Sequence, residues 1–217
     1  MRVKQLKSIH IPQSTFSLEI ENELNHIRSF NRIDSIVDCP CGSGAVTIPL
    51  IKKFNKTNFY CYDISKYEIK RFTDNIQRQN LEINFGNIFD KNLLREPCDV
   101  WLLVNSLFLL DDLNGLFLNL KKSSIVIVII PNIHSNAYKK FNEENIGVNK
   151  HSLTADQVSV LFKNNNFSEF KRKDISYMPR TSNKKLWSVI KYFTIFDRLP
   201  LRTGLHQYTL LTFKNEH

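Results

Sequence analysis

Two stretches limit the architecture more than any others: CDVWLLVNS (98–106) and SIVIVIIP (124–131). Each is strand-length, and each would be apolar on both faces. A strand buried on both faces belongs in the middle of a parallel sheet covered by helices above and below. Around them the sequence alternates. SIVDC (35–39), NFYCYD (58–63) and LEINFGN (81–87) read as further strands. AVTIPLIKKF (45–54), SKYEIKRFTDNIQRQN (65–80) and DLNGLFLNLKKS (112–123) read as the helices between strands, with Ser65 and Glu68 spaced as a capping box. Pro49 falls in the first turns of its helix, where proline is best tolerated. Leu18, Ile20, Leu24, Ile27 and Phe30 at helical spacing predict a leading helix over about 18–32. Beyond Pro131, TADQVSVLFKNNN reads as a helix capped by Thr154, and SEFKRKDISY and LHQYTLLTFK as two more strands. The expected fold is therefore α/β: a doubly wound, mostly parallel sheet with its ligand site at the carboxyl ends of the strands.

That expectation focuses attention on DCPCGSGAVT (38–47), where the first strand breaks into a glycine turn. Glycines at such an exit let backbone come close to a ligand, and the following helix start favours negative charge. A dinucleotide fingerprint would need a third glycine where Thr47 stands, so a nicotinamide-dependent oxidoreductase is disfavoured. Asp63 ends the second strand, about 20 residues past the glycines, where a carboxylate can hold a ribose.

In order and spacing these residues resemble the class I S-adenosylmethionine-dependent methyltransferases. Asp38-Cys39-Pro40-Cys41-Gly42-Ser43-Gly44 resembles the first motif, with Pro40 where the family commonly has glycine. Asn87, in NFGNIFD, stands where family members usually place an acid, and its side-chain oxygen can accept the same hydrogen bond. CDVWLLVNSLFLL resembles the fourth motif, opened by Asp99 and closed by Asn105-Ser106. The resemblance covers roughly residues 34–131. It implies S-adenosylmethionine as cofactor and a seven-stranded sheet whose last strand runs antiparallel. It further implies that Asp38 holds the cofactor's amino group and that the backbone around Cys39, Pro40, Gly42 and Gly44 faces its carboxylate. Asp63 would hold the ribose, Ile64 would cover one adenine face, Asn87 would read the adenine edge with Ile88 nearby, and Asn105 would lie by the methionine moiety.

Residues 1–33 are expected to form a helical cap segment and 34–217 the methyltransferase domain. Substrate-lid elements are expected at 132–153 and 177–204. The second of these holds six basic residues and one aspartate, a surplus of five within a net charge of +9. A small anionic acceptor is the expected substrate, with Tyr177, Arg180 and Trp187 as candidate contacts and His134 and His206 as candidate bases. Oxygen is the favoured methyl acceptor, because no Asn/Asp-Pro-Pro-aromatic tetrapeptide follows the fourth strand; the sequence there is Asn105-Ser106-Leu107-Phe108. A carboxylate or phosphate acceptor would need no base at all. RNA methylation and a catalytically silent cofactor-binding fold stay open as alternatives. Nucleic acid is disfavoured for want of length for an added RNA-binding domain. The amphipathic, basic 177–204 stretch could also lie on an anionic membrane surface. No apolar run approaches the roughly 18 residues of a bilayer span, and the N-terminus lacks an apolar leader core, so the expected location is cytoplasmic. The four cysteines lack paired metal-ligand spacing, and no metal is expected.

Overall fold

The computed structural model describes residues 13–76, 80–94, 96–135, 138, 139, 143, 151–175 and 208–216. Tyr177, Arg180, Trp187 and His206, the whole 177–204 lid element and most of 132–153 lie outside the described residues.

The chain runs α1 (Gln13–Arg28), β1 (Ser35–Asp38), α2 (Thr47–Lys53), β2 (Asn58–Asp63), α3 (Lys66–Asn75), β3 (Leu81–Phe85), β4 (Cys98–Val104), a short 3₁₀ turn (Leu107–Leu109), α4 (Leu113–Leu120), β5 (Ser123–Pro131), α5 (Ala155–Lys163), β6 (Phe167–Ile175) and β7 (Tyr208–Asn215). The seven strands lie in the order β3-β2-β1-β4-β5-β7-β6. β1 to β5 are mutually parallel, and β7 runs antiparallel to both of its neighbours. One edge of the sheet therefore collects the carboxyl ends of β1 to β6 and the start of β7. The strand order reverses between β1 and β4, and such a reversal leaves a crevice.

Alternation inside the apolar strands explains why they are apolar throughout. Ile36, Val100, Leu102, Ile125, Ile127 and Ile129 face the layer of α1, α2 and α3. Val37, Trp101, Leu103, Val126, Val128 and Ile130 face α4 and α5. On the second side Phe162 of α5 stacks on Phe213 of β7 at 4.0 Å between ring centroids and meets Phe117 and Phe167 edge-on.

α1 begins five residues before the expected start, and its buried stripe differs. Phe16, Ile20, Leu24 and Ile27 are buried, whereas Leu18 and Phe30 are more than half exposed. The reason is the partner: Phe16 meets the Tyr208 ring edge-on at 4.9 Å, which draws the first turn onto β7. Each of these buried side chains contributes about 1.5–3 kcal/mol. The charged alternation of β6 has the same origin. Lys171 and Lys173 pair with Glu23 and Glu19 of α1, and Arg172, on the opposite face, pairs with Asp156 of α5 at 2.6 Å. Ser65 caps α3 by accepting from the Glu68 N–H, and Thr154 with Gln157 forms a full capping box on α5.

Candidate functional site

The crevice side of the sheet is built from the ends of β1 and β2. Asp38 closes β1 with its side chain 3% exposed, and the Thr47 hydroxyl at the start of α2 donates to it. Burial pushes the Asp38 carboxyl up to about 7; the Thr47 hydrogen bond pulls the other way, and the charge of Asp63 adds to the rise. Thr47, the residue that breaks the dinucleotide pattern, thus has a positive role. It had no motif to announce it, only a hydroxyl at a helix start after a buried acid.

Asp63 ends β2 and is nearly buried. Its two oxygens accept from the Gly42 N–H and the Ser65 N–H, both at 2.8 Å. The carboxylate therefore ties the glycine turn to the start of α3. The two glycines have different reasons to be glycine. Gly42 has φ +54°, and a Cβ there would meet nothing within 4 Å. Gly44 has φ +73°, and a Cβ there would fall 2.4 Å from the Phe72 ring of α3. Gly44 lets a helix pack; Gly42 keeps a surface open. The amides of Cys41, Gly42 and Gly44 donate to Tyr62 O, Asp63 and Cys41 O, so these three already have acceptors within the protein. The Cys39–Pro40 peptide is cis, and the Trp101 indole N–H donates to the Cys39 carbonyl at 3.3 Å.

Ile64, next along the chain, is 63% exposed at the edge of the crevice. Asn87 follows β3 and is exposed, its Oδ1 accepting from the Phe89 N–H at 3.1 Å. Ile88 is buried in the core facing α4, and its carbonyl takes a hydrogen bond from Asn119 at 2.8 Å. Across the strand reversal, Asn105 leaves β4 at φ +53° with its N–H on Ile129 O. The Asn105 Oδ1 and the Ser106 Oγ are buried and have no hydrogen-bond partner among the described residues. Asp99 lies at the opposite edge, where it accepts from Asp34 N, Ser35 N and the Ser35 hydroxyl; its work is to join β1 to β4.

His134 is exposed just beyond β5, with its N–H on the Asn132 side chain. It lines a cleft of about 290 Å³ together with Thr154, Arg172 and Asp174. Asp38, Gly42, Asp63 and Ile64 thus gather on one side of the crevice and Asn105 stands on the other, while His134 sits farther along the sheet, at β5.

Residues 37–123 match the methyltransferase domain family. No curated protein matches the chain in sequence. Solved structures match over nearly all of it. The plantazolicin methyltransferase BamL, in complex with a triazolic desmethylPZN analog and SAH, shares 15% identity at a TM-score of 0.66, covering 94% of this chain and 86% of its own. A S-adenosylmethionine-dependent methyltransferase from Clostridium acetobutylicum shares 13% identity at 0.63, covering 95% and 93%. The magnesium protoporphyrin IX methyltransferase ChlM from Synechocystis, with bound SAH, shares 10% at 0.59, covering 93% and 84%. The matched segment contains the glycine turn, Asp63 and the β4 exit, and over nearly the whole chain the fold is the one seen in solved S-adenosylmethionine-dependent methyltransferases.

Proposed function

We propose that the protein moves a methyl group from S-adenosylmethionine to an oxygen of a small, anionic acceptor. One observation carries this reading. Two carboxylates, Asp38 and Asp63, end neighbouring strands on either side of a glycine whose outer face is open. The residues present fit the cofactor. A Cβ-free surface at Gly42, an exposed apolar side chain at Ile64 and a buried Asn105 oxygen without a partner among the described residues are each a cost that a bound ligand would offset.

In this reading Asp38 holds the amino group of the cofactor. Asp63 spends one contact per oxygen on backbone amides and keeps lone pairs for the two ribose hydroxyls. Ile64 covers one adenine face, Asn87 takes the adenine edge, and Asn105 offers its oxygen to the amino-acid end. Cys39, Pro40 and Gly44 shape the turn, and Ile88 supports it from the core. The bound sulfonium supplies an electrophilic methyl group. The protein's part is to orient the acceptor in line and keep water out. His134 and His206 are the base candidates, and Tyr177, Arg180 and Trp187 are acceptor contacts. The basic 177–204 segment supports an anionic acceptor.

Calorimetry with S-adenosylhomocysteine and with NAD tests the reading. Micromolar binding of the first, lost at least tenfold in Asp63→Ala, with no binding of NAD, is expected. NAD binding, or no binding of either, would overturn it. Methyl transfer to a panel of phenolic acids, weakening with added salt, tests the anionic acceptor.

A further inference from the structure

We propose that His151, in place of the candidates His134 and His206, is the acceptor-side base of this enzyme, and that the methyl acceptor is a hydroxyl rather than a group already ionised. The inference rests on the methyl-transfer reading and specifies which oxygen that reaction takes.

Topology brings His151 to the crevice. β5 leaves the sheet at its ligand edge, β6 runs in the same direction as β5, and α5 returns between them. α5 therefore starts at the ligand edge, and His151 stands four residues before its first turn. A backbone hydrogen bond fixes which part of that edge it joins: His151 N–H donates to Phe108 O at 3.4 Å. Phe108 belongs to the 3₁₀ turn that immediately follows Asn105 and Ser106. The next residue, Ser152, is held in turn by the buried Tyr138, whose hydroxyl lies 3.1 Å from the Ser152 Oγ.

Three side-chain polar atoms in this small region are buried without a partner among the described residues: Asn105 Oδ1, Ser106 Oγ and His151 Nε2. Buried polar atoms are nearly always paired, so three unpaired ones on adjoining segments mark a place meant for a polar ligand. Asn105 serves the cofactor side. Ser106 and His151 are left for the acceptor. By contrast the His134 side chain is exposed to water.

The chemistry balances. The hydroxyl oxygen forms its bond to the methyl carbon, the carbon–sulfur bond breaks with its electron pair going to sulfur, and the hydroxyl proton passes to His151 Nε2. The imidazole becomes imidazolium and later returns the proton to solvent. The Ser106 hydroxyl can donate to the acceptor oxygen and fix its direction. A carboxylate acceptor would need none of this, and the His151 imidazole would have nothing to accept.

The test uses nitrogen NMR of the imidazoles together with turnover. Phenol, catechol and benzyl alcohol, each added to the S-adenosylhomocysteine complex, are the hydroxyl probes; benzoate is the carboxylate probe. We expect the His151 Nε2 resonance to shift as that of a hydrogen-bond acceptor with at least one hydroxyl probe, and not with benzoate. His151→Gln and His151→Phe should lower kcat for a hydroxyl acceptor about a hundredfold to a thousandfold, with KM changed much less. Both should keep S-adenosylhomocysteine affinity within twofold, which also verifies folding. A protonated Nε2, silence toward all three hydroxyl probes, or a His151→Gln enzyme with unchanged kcat overturns the proposal while leaving cofactor binding intact. Loss of cofactor binding by the unmodified protein would instead overturn methyl transfer itself.

Discussion

Replacing the proton on Asp38 by the cofactor's ammonium group should couple cofactor binding to pH. Burial holds this carboxyl at about 7 instead of 3.8. In the folded chain it therefore keeps a proton between those values that the unfolded chain has lost. Its contribution to stability is present at low pH and is lost as pH rises through about 7, about 4 kcal/mol in all at 1.36 kcal/mol per unit. A cation placed beside it favours the ionised form and offsets that loss. Cofactor binding well below pH 7 must then expel about one proton. If the bound state holds Asp38 fully ionised, affinity should fall about 25-fold between pH 7.5 and 5.5, or about 2 kcal/mol. Titration calorimetry with S-adenosylhomocysteine at both pH values, each in two buffers of different ionisation enthalpy, reads affinity and proton release together. About one proton should leave at pH 5.5 and about a quarter of one at pH 7.5. Asp38→Asn should bind more weakly and lose the pH dependence. Flat affinity from pH 5.5 to 7.5 in the unmodified protein would show that Asp38 does not meet the ammonium group.

The remaining predictions concern the frame of the site. Gly44→Ala should destabilise the fold by about 2–4 kcal/mol in urea denaturation, because the methyl falls on the Phe72 ring as well as straining a positive φ. Gly42→Ala, strained in φ but free of contacts, should cost about 1 kcal/mol yet weaken S-adenosylhomocysteine binding; the reverse ranking would contradict the division of labour between the two glycines. Asp99→Ala should lower stability by about 1–3 kcal/mol with cofactor affinity unchanged, since its three hydrogen bonds join strands at the far edge of the sheet. Phe162→Ala should lose about 3–5 kcal/mol on thermal unfolding by opening the aromatic cluster.

The sheet was legible in the sequence because burial on two faces leaves a mark that charge patterns cannot imitate: β4 and β5 could only be interior. Asp38, Gly42, Gly44 and Asp63 were legible as a spacing, and the structure brings them to adjoining strand ends. What the spacing could not convey was who meets whom. The Gly42 amide goes to Asp63, Gly44 is demanded by a ring 28 residues later, and Thr47 pairs with Asp38; each is a tertiary contact without a local signature. The same limit applies to α1, whose Leu18 and Phe30 fit a helical period but not the face that Tyr208 selects. His151 carries no local signature, because the carbonyl that fixes its backbone belongs to Phe108, in the 3₁₀ turn after β4 and far away in the chain.

α1 is more than a lid on the hydrophobic layer. Glu19, Glu21 and Glu23 reach Lys173, Lys53 and Lys171, so one helix is moored both to the outermost strand β6 and to α2, while the Ser17 hydroxyl holds the Val46 carbonyl just ahead of α2. A chain shortened to start at Ile33 would bare Ile20's, Leu24's and Ile27's seats on the sheet and strand Lys171 and Lys173 without counter-charges. The glycine turn would lose its brace in the same stroke, so trimming the front of this protein should blunt its grip on a nucleoside as well as its solubility.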